Sequence, residues 1–375
     1  MPQATYRVAA IGCGRKGTEH ARAYMLDPAT EVVAAADPDP ENLDLFRRRF
    51  GLRRGYSDYQ EMLRKEKVDI VSAILPVSIN PSVVLGCAQT GVRAICCEKP
   101  ISTSLEEADQ VVEACQARGI KLASGDLERN LPEYRKALET IESGEVGELR
   151  GMTFHSGSGT QMSGGGCQVF SLMRMFAGDA DVAWVIGWVA DDPASDNDQG
   201  VAGYLRFVNG IEAFIYRDAN ARNGFEVMCS RGVFQSDGLH LSLQKTSEGE
   251  EFPTSASLKK VKGVFPDGPI RRGGVGTRDD EGWEKAGSRQ IATVRCVIHS
   301  LDTGVDSGGS GDNGRKVLEM AIAMRESHRR GHEPVRLPLR DRRLRIIPVP
   351  GRMWNKKEVH GDEWYAQQIG RYKDV

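Results

Sequence analysis

The sequence predicts an α/β protein in two parts: an N-terminal doubly wound parallel sheet, then an α+β region with a mainly antiparallel open sheet. Three observations predict it. Strand-like and helix-like runs alternate with short connections over residues 1–125. A glycine-rich turn joins the first strand to the first helix. Beyond residue 150, short strand-like runs follow one another with few helical interruptions. Alternation implies parallel strands with right-handed crossovers. Consecutive strands imply antiparallel pairing, with one face covered and the other open. At 375 residues the chain suits about two domains of roughly 150 residues as a prior, placed at 1–125 and 126–375.

In the first part, strands are expected at Arg7–Ile11, Glu31–Ala36, Ile70–Ile74, Ala94–Cys97 and Lys121–Ser124. Helices are expected at Thr18–Leu26, Pro40–Phe50, Tyr59–Arg64, Pro81–Thr90 and Ser104–Arg118, the last opened by a capping box of Ser104 and Glu107. A helix at Pro132–Ser143 leads into the second part. Its strands are expected at Arg150–Phe154, Ala183–Ala190, Val201–Phe207, Ile211–Tyr216, Asn223–Cys229, Val233–Ser236 and Leu239–Gln244. The polar stretch Gln244–Arg289 reads as a long excursion, a lid or an oligomer arm. Helical patterns follow at Gln290–Leu301 and Gly314–Arg330, and the proline-containing tail from Leu337 is expected to wrap the surface or a neighbouring subunit.

The turn between the first strand and helix carries the chemistry. It reads Ile11-Gly-Cys-Gly-Arg-Lys-Gly17. Gly12 permits the sharp turn, Gly14 lets backbone approach a pyrophosphate, and Gly17 lets helix and strand pack closely. The helix N-terminus offers free N–H groups and partial positive charge to phosphates. With 42 glycines in the chain, the spacing alone is weak, but its context is ordered. The second strand ends in Asp37, 20 residues after Gly17, where a carboxylate accepts from the adenosine ribose hydroxyls. A Rossmann domain binding NAD is therefore expected. A 2′-phosphate would meet a like charge at Asp37, which favours NAD over NADP. Cys13, Arg15 and Lys16 complete the cofactor turn, and the loop Leu75-Pro76 is expected to line the ribose and nicotinamide side.

Composition bounds the partners. Hydrophobic residues make up 40% and charged residues 27%, with a net charge of −2, so nothing points to nucleic acid or an acidic membrane. No run of 18 apolar residues marks a membrane span. The chain enters its first strand without a signal-peptide pattern, and its eight cysteines are scattered with no C-x-x-C. Buried free thiols in a cytoplasmic protein are expected. The seven histidines show no H-E-x-x-H spacing, and no metal is expected.

A second motif follows the fourth strand of this reading: Cys97-Glu98-Lys99-Pro100. Lys99 falls at the C-terminal edge of the parallel sheet, which faces the nicotinamide crevice in open α/β folds. A lysine there can hydrogen-bond a substrate hydroxyl or carbonyl and share its proton. The glycine fingerprint, Glu98-Lys99-Pro100 before a Ser104-capped helix, and the antiparallel region together resemble the Gfo/Idh/MocA family. The stretches Ile141–Leu149 and Asn313–Met324 resemble it too. The resemblance implies an NAD(P)-binding first domain, with Glu98 and Lys99 beside the cofactor. It also implies a second domain whose sheet covers the nicotinamide and supplies an interface for a homo-oligomer, a dimer or tetramer. It further implies oxidation or reduction of a secondary alcohol or carbonyl on a sugar, sugar derivative or polyol.

The chain departs from the family pattern. The family's third motif has an Asp and, four residues later, a His. Aligning the apolar helix Phe170–Phe176 puts Gly164 and Gln168 at those positions. Gln168 hydrogen-bonds but carries no proton at neutral pH. Arg129 and Pro132 remain of an arginine-containing motif, and Asn80-Pro81 stands where a histidine is usual. Several readings stay open. Lys99 carries the proton alone, with Gln168 and Arg129 positioning the substrate; or His155, or His240, replaces the missing histidine. A redox-assisted glycosidase or lyase and a non-catalytic NAD-binding regulator are the alternatives to a dehydrogenase.

Overall fold

The computed structural model describes residues 6–156, 161–217, 223–246, 257–265, 270 and 289–370. The chain divides into two compact units: Met1–Leu127 with Gly273–Arg315 and Ile347–Val375, and Glu128–Arg272 with Lys316–Ile346. The first boundary lies near the expected one. The difference is that two later segments, expected in the second domain, return to the first unit.

The first unit is a six-stranded parallel sheet in the order β3-β2-β1-β4-β5-β6. Its strands are β1 (Tyr6–Ile11), β2 (Thr30–Ala36), β3 (Gly55–Tyr56), β4 (Ile70–Ala73), β5 (Ala94–Cys97) and β6 (Lys121–Ala123). Between them run α1 (Arg15–Leu26), α2 (Pro40–Phe50), α3 (Tyr59–Lys65), α4 (Asn80–Cys87) and α5 (Leu105–Gln116). Chain direction reverses its spread between β1 and β4, and ligands of such sheets bind beyond the strand C-termini at that switch point. The two-residue β3 has no apolar run and escapes a pattern reading.

Local chemistry sets the helix ends. The Asp39 carboxylate accepts from the Glu41 and Asn42 amides, Pro40 opens α2, and Gly51 closes it at φ 63°. The expected capping box of α5 forms by half. Ser104 accepts from the Glu107 amide, but the Glu107 carboxylate takes the Ser102 hydroxyl at 2.8 Å. The Ser104 amide instead donates to Ser102.

The core of this unit explains why residues beyond 288 return. α8 (Arg289–Thr303) lays Ile291, Val294, Val297 and Ile298 against Val8, Tyr24, Val32 and Ile70. Each such side chain contributes about 1.5–3 kcal/mol when fully buried. α9 (Gly311–Arg329) begins here, with Asn313 donating to the buried Asp126 carboxylate at 2.8 Å. The tail forms three short helices: α10 (Pro350–Met353), α11 (Lys356–His360) and α12 (Asp362–Gly370).

The second unit holds a nine-stranded sheet, β14-β13-β12-β11-β7-β10-β9-β8-β15. Its strands are β7 (Leu149–Ser156), β8 (Val182–Val189), β9 (Val201–Phe207), β10 (Glu212–Arg217), β11 (Gly224–Cys229), β12 (Gly232–Ser236), β13 (Leu241–Lys245), β14 (Lys259–Lys260) and β15 (Val335–Arg336). All neighbours pair antiparallel except β7 and β10, where Phe154 lies opposite Ile215 in a parallel pair. Helices α6 (Pro132–Glu142) and α7 (Cys167–Phe176) cover one face, where Tyr134, Phe154 and Phe176 gather around Phe225. The rest of α9 lies close on β8 and β9, because a Cβ on Gly187 would sit 2.4 Å from that of Met324. The opposite face carries Trp184, Trp188, Tyr204, Phe214 and Tyr216, the last 48% exposed. Most of the Gln244–Arg289 excursion lies outside the described residues.

Candidate active site

The glycine turn has the geometry its three positions require. Gly12 sits at φ +91°, and a Cβ there would lie 2.4 Å from the Ile74 carbonyl oxygen. A Cβ on Gly17 would lie 1.8 Å from the Gly12 carbonyl oxygen. A Cβ on Gly14 would meet one atom within 4 Å, the Tyr365 hydroxyl at 3.6 Å. Gly12 and Gly17 are therefore filled against backbone, while Gly14 meets only the far end of one side chain. Gly14 also caps α1 with no side-chain hydrogen bond, so the first-turn amides are left for an anion. This cradle fits a dinucleotide pyrophosphate.

Asp37 is 8% exposed and held by backbone. Its Oδ2 accepts from the Cys13 amide at 2.7 Å and its Oδ1 from the Asp39 amide at 2.8 Å. Burial raises its pKa, and those two donors oppose the rise. Each oxygen keeps a second lone pair for a ribose hydroxyl. Leu75 and Pro76 follow β4, half-buried, with the Leu75 Cδ2 3.2 Å from the Gly12 Cβ position. Cys13 is buried, and burial pushes its thiol up. All eight cysteines are free.

The turn after β5 is pinned by a residue the sequence reading noted only as a departure. Asn80 is fully buried, and its Nδ2 donates to the Glu98 and Ile101 carbonyls at 3.1 and 3.2 Å. The Lys99–Pro100 peptide is cis. Lys99 is half-buried and runs past Gly125, where a Cβ would lie 2.9 Å from the lysine Cγ. Glu98 Oε1 lies 3.6 Å from Nε2 of the buried His20 on α1. Burial opposes charge on Glu98, yet His20, then Lys99 and Lys16, hold its pKa at about 2. Burial likewise opposes charge on His20, but Cys96 and Glu98 raise it to about 9. His20 was not singled out from sequence; its place one turn past Gly17 on the helix face toward the sheet was the available signal.

This pair has a pH signature. A raised histidine pKa adds stability that is complete below pH about 6.5 and fades as pH rises through about 9; a depressed glutamate pKa adds stability that fades as pH falls from about 4.5 through about 2. Replacing His20 by Ala removes the nearest partner of the half-buried Glu98 and is expected to cost about 1–2 kcal/mol. Urea melts should show that loss near pH 6 and a smaller one above pH 9. An equal loss at both pH values contradicts the ion pair.

In sum the first unit gathers Gly12, Gly14, Gly17, Asp37, Leu75, Pro76, Glu98 and Lys99 at one edge of one sheet, beyond the C-termini of β1, β2, β4 and β5. A cavity of about 570 Å³ lies at the opposite edge, lined by Gln89, Arg93, Arg118 and Lys121. Its cations are engaged, Lys121 with Asp306 and Arg93 with Asp69, so the chemistry stays with the C-terminal edge.

Comparison with known proteins bears on the domain that carries this edge. Residues 6–125 match the Gfo/Idh/MocA family model, an oxidoreductase family with an NAD-binding Rossmann fold. Over these residues the chain is similar to that family. D-apiose dehydrogenase of Paraburkholderia graminis is 32% identical over 142 residues, 38% of this chain and 38% of the relative. Myo-inositol 2-dehydrogenase of Thermotoga maritima is 27% identical over 142 residues, 38% of this chain and 42% of the relative. The match thus spans about two fifths of these relatives' lengths. Among solved structures, levoglucosan dehydrogenase in complex with NADH is similar at TM-score 0.72 and 20% identity, over 89% of this chain and 99% of that one. An oxidoreductase from Agrobacterium radiobacter in complex with NAD+, L-tartaric acid and magnesium gives 0.71 and 20%, over 89% and 98%. At that identity the likeness shows the fold.

The second unit holds three of the expected site residues in other roles. Arg129 is 1% exposed; its Nη2 donates to both Asp179 oxygens at 2.9 and 2.7 Å and its Nη1 to Ser171. A guanidinium so engaged fastens α7 and the turn after it, and does not serve as a substrate ligand. The partner is 50 residues away in sequence, so no local pattern reveals it. His155 lies on the aromatic face beside Tyr216, whereas Phe154 points toward α6 and α7. It is therefore on the far side of the sheet from α7, which carries Gln168, and drops out as acid–base candidate. The alternation Met152, Phe154 against Thr153, His155 already carried that signal. His240 is exposed and caps its own turn with Asp237 at 2.9 Å.

The altered third motif is a built turn. Buried Asp198 accepts from the Met162 and Ser163 amides at 2.9 and 2.8 Å and from the Ser163 hydroxyl at 2.7 Å. It anchors the turn Met162–Gly166, which contains Gly164 and leads into α7. Gln168 is 7% exposed, and its Oε1 accepts from the Glu128 amide at 2.9 Å. His328 and His332 form an H-x-x-x-H spacing. These rings stack at 4.5 Å, and their Nδ1 atoms engage the Val189 amide and the Gly187 carbonyl, both at 3.1 Å. They fasten β8 and form no metal site; among the described residues no cluster of three metal-ligating groups occurs. No described helix is long and apolar enough to cross a membrane.

Proposed function

We propose that this protein is an NAD-dependent oxidoreductase moving hydride between nicotinamide and a secondary alcohol or carbonyl of a sugar, sugar derivative or polyol. The observation that carries this reading is the convergence of the glycine cradle, Asp37 and Lys99 at one sheet edge. The names of relatives acting on apiose and inositol support the substrate class. Bound NAD supplies a hydride acceptor or, when reduced, a donor. Gly12, Gly14 and Gly17 bring backbone to the pyrophosphate, while Asp37 holds the ribose hydroxyls and selects NAD against a 2′-phosphate. Glu98 and Asn80 fix the turn on which Lys99 stands. Lys99 Nζ hydrogen-bonds the reacting oxygen and takes its proton as the carbinol C–H leaves as hydride; in the reverse direction it returns that proton. Gln168 serves as a hydrogen-bonding group toward substrate hydroxyls that carries no proton itself.

The cofactor assignment is tested by fluorescence titration with NADH and NADPH. We expect NADH to bind at least about tenfold tighter, one carboxylate–phosphate repulsion being of that order. Equal affinities, or tighter NADPH, contradict the role given to Asp37.

The same reading includes a homo-oligomer joined through the aromatic sheet face. The rings gather there in two groups, Trp184 with Tyr204 at 5.5 Å between centroids, and Phe214 with Trp188 and Tyr216 at 6.2 and 6.4 Å. Tyr216 is exposed and the other four rings are half-buried, an aromatic face that supports a protein contact. Light scattering should give a dimer or tetramer for the wild type and a smaller species for Trp188→Asp with Phe214→Asp. A monomeric wild type contradicts it.

A further inference from the structure

We propose that the C-terminal segment Pro350–Gly370 is a cover across the dinucleotide crevice, and that Arg352 and Lys356 are pyrophosphate ligands carried on it. The inference rests on the cofactor reading above and extends it to residues outside the matched domain.

The cover is anchored on both banks of the crevice. On the β4 side, the Val77 amide donates to the Arg352 carbonyl at 3.2 Å, and the Ser78 amide donates to the Met353 carbonyl at 3.4 Å. This seats α10 on the loop that begins Leu75-Pro76. On the β2 side, Lys357 Nζ pairs with Asp39 at 3.0 Å and Glu41 at 3.3 Å. Beyond it, the Tyr365 hydroxyl donates to Asn42 Oδ1 at 3.0 Å. Between the banks lies β1 with its glycine turn. The segment crosses that turn, since Tyr365 is the one atom within 4 Å of the Gly14 Cβ position.

Charge assigns what lies beneath. Lys357 neutralises the acidic pair beside the adenosine end. Arg15 and Lys16 lean on the buried Glu19, at 3.4 and 2.5 Å. Arg352 and Lys356 have no carboxylate within 4.0 Å among the described residues; Lys356 instead has its Nζ 5.9 Å from the Trp364 ring centroid. Burial and then the charges of Arg15, Arg352 and Lys16 push the Lys356 pKa down. Four cations thus converge beside a helix N-terminus that itself attracts anions, with one carboxylate for two of them. Such a cluster is relieved by a diphosphate.

The test is NADH binding to the full-length protein, by fluorescence titration and stopped-flow dissociation. Arg352→Ala with Lys356→Ala should raise Kd about 10- to 100-fold and flatten its salt dependence, while the melting temperature of the free protein stays unchanged. Lys357→Ala, which unpins the cover and leaves both phosphate ligands in place, should speed dissociation with little change in association. A wild type that binds NADH, with a double variant binding it equally well or more tightly, overturns the cover and leaves the cofactor reading intact. A wild type that binds no NADH overturns both.

Discussion

Lys99→Met is expected to lower turnover by about 10²- to 10⁴-fold while the protein still binds NADH, because it removes the one proton-carrying group this account assigns to the reacting oxygen. Methionine keeps the length of the side chain as it runs past Gly125, so the turn fixed by Asn80 should survive. The loss should fall on kcat more than on KM, as expected for an interaction made in the transition state. Two measurements check it: steady-state kinetics on the substrate found, and NADH titration of the variant. Turnover unchanged by the substitution would remove Lys99 from the mechanism and return the search to other groups.

Gly17→Ala is expected to abolish tight cofactor binding. The new Cβ, whose position the backbone fixes, would stand 1.8 Å from the Gly12 carbonyl oxygen, itself a backbone atom. No side chain can rotate away to relieve that contact. Either α1 moves off β1 or the turn flattens, and each withdraws the α1 amides from the pyrophosphate. We expect NADH affinity to fall on the order of 100-fold or more, equivalent to about 2.7 kcal/mol. Gly14→Ala is the informative control. Its Cβ meets only the Tyr365 hydroxyl at 3.6 Å, so the free protein should keep its melting temperature while losing affinity. Equal affinities for wild type and Gly17→Ala would contradict the cradle.

What was legible in the sequence was local. The glycine run, Asp37 at the end of β2, and Glu98-Lys99 at the end of β5 each rest on a few neighbouring residues whose chemistry is set by the turn they form. Helix α2 was legible to the residue because Asp39, Pro40 and Gly51 punctuate both ends. What was not legible depends on distant partners. α8 reads as an amphipathic helix, but its apolar stripe does not say that it covers α1 and the first sheet. The ion pair of Arg129 needs Asp179, and the fold alone brings them together. The tail carries three prolines and two tryptophans from Leu337 onward, which suggested a wrapping segment; its place across the glycine turn follows from Lys357, Tyr365 and the Val77 amide. His155 is a different case. Strand alternation alone places it on the face opposite Phe154.

The departure at the third motif also has physical content. A chain that merely lost an Asp and a His would leave a loose turn at Gly164. Here Asp198 supplies three hydrogen bonds to that turn, and Gln168 is held by the Glu128 amide. The turn at Gly164 is thus as firmly held as a regular element.

The most direct test of the central claim is mass spectrometry of a panel of sugars, sugar acids, inositols and glycosides after incubation with the protein and NAD. The account predicts a product two hydrogens lighter than its substrate, with one NADH formed for each product molecule and both lost in Lys99→Met. A cleaved glycoside with no net NADH, or a panel left unchanged by a protein that binds NADH, would contradict it.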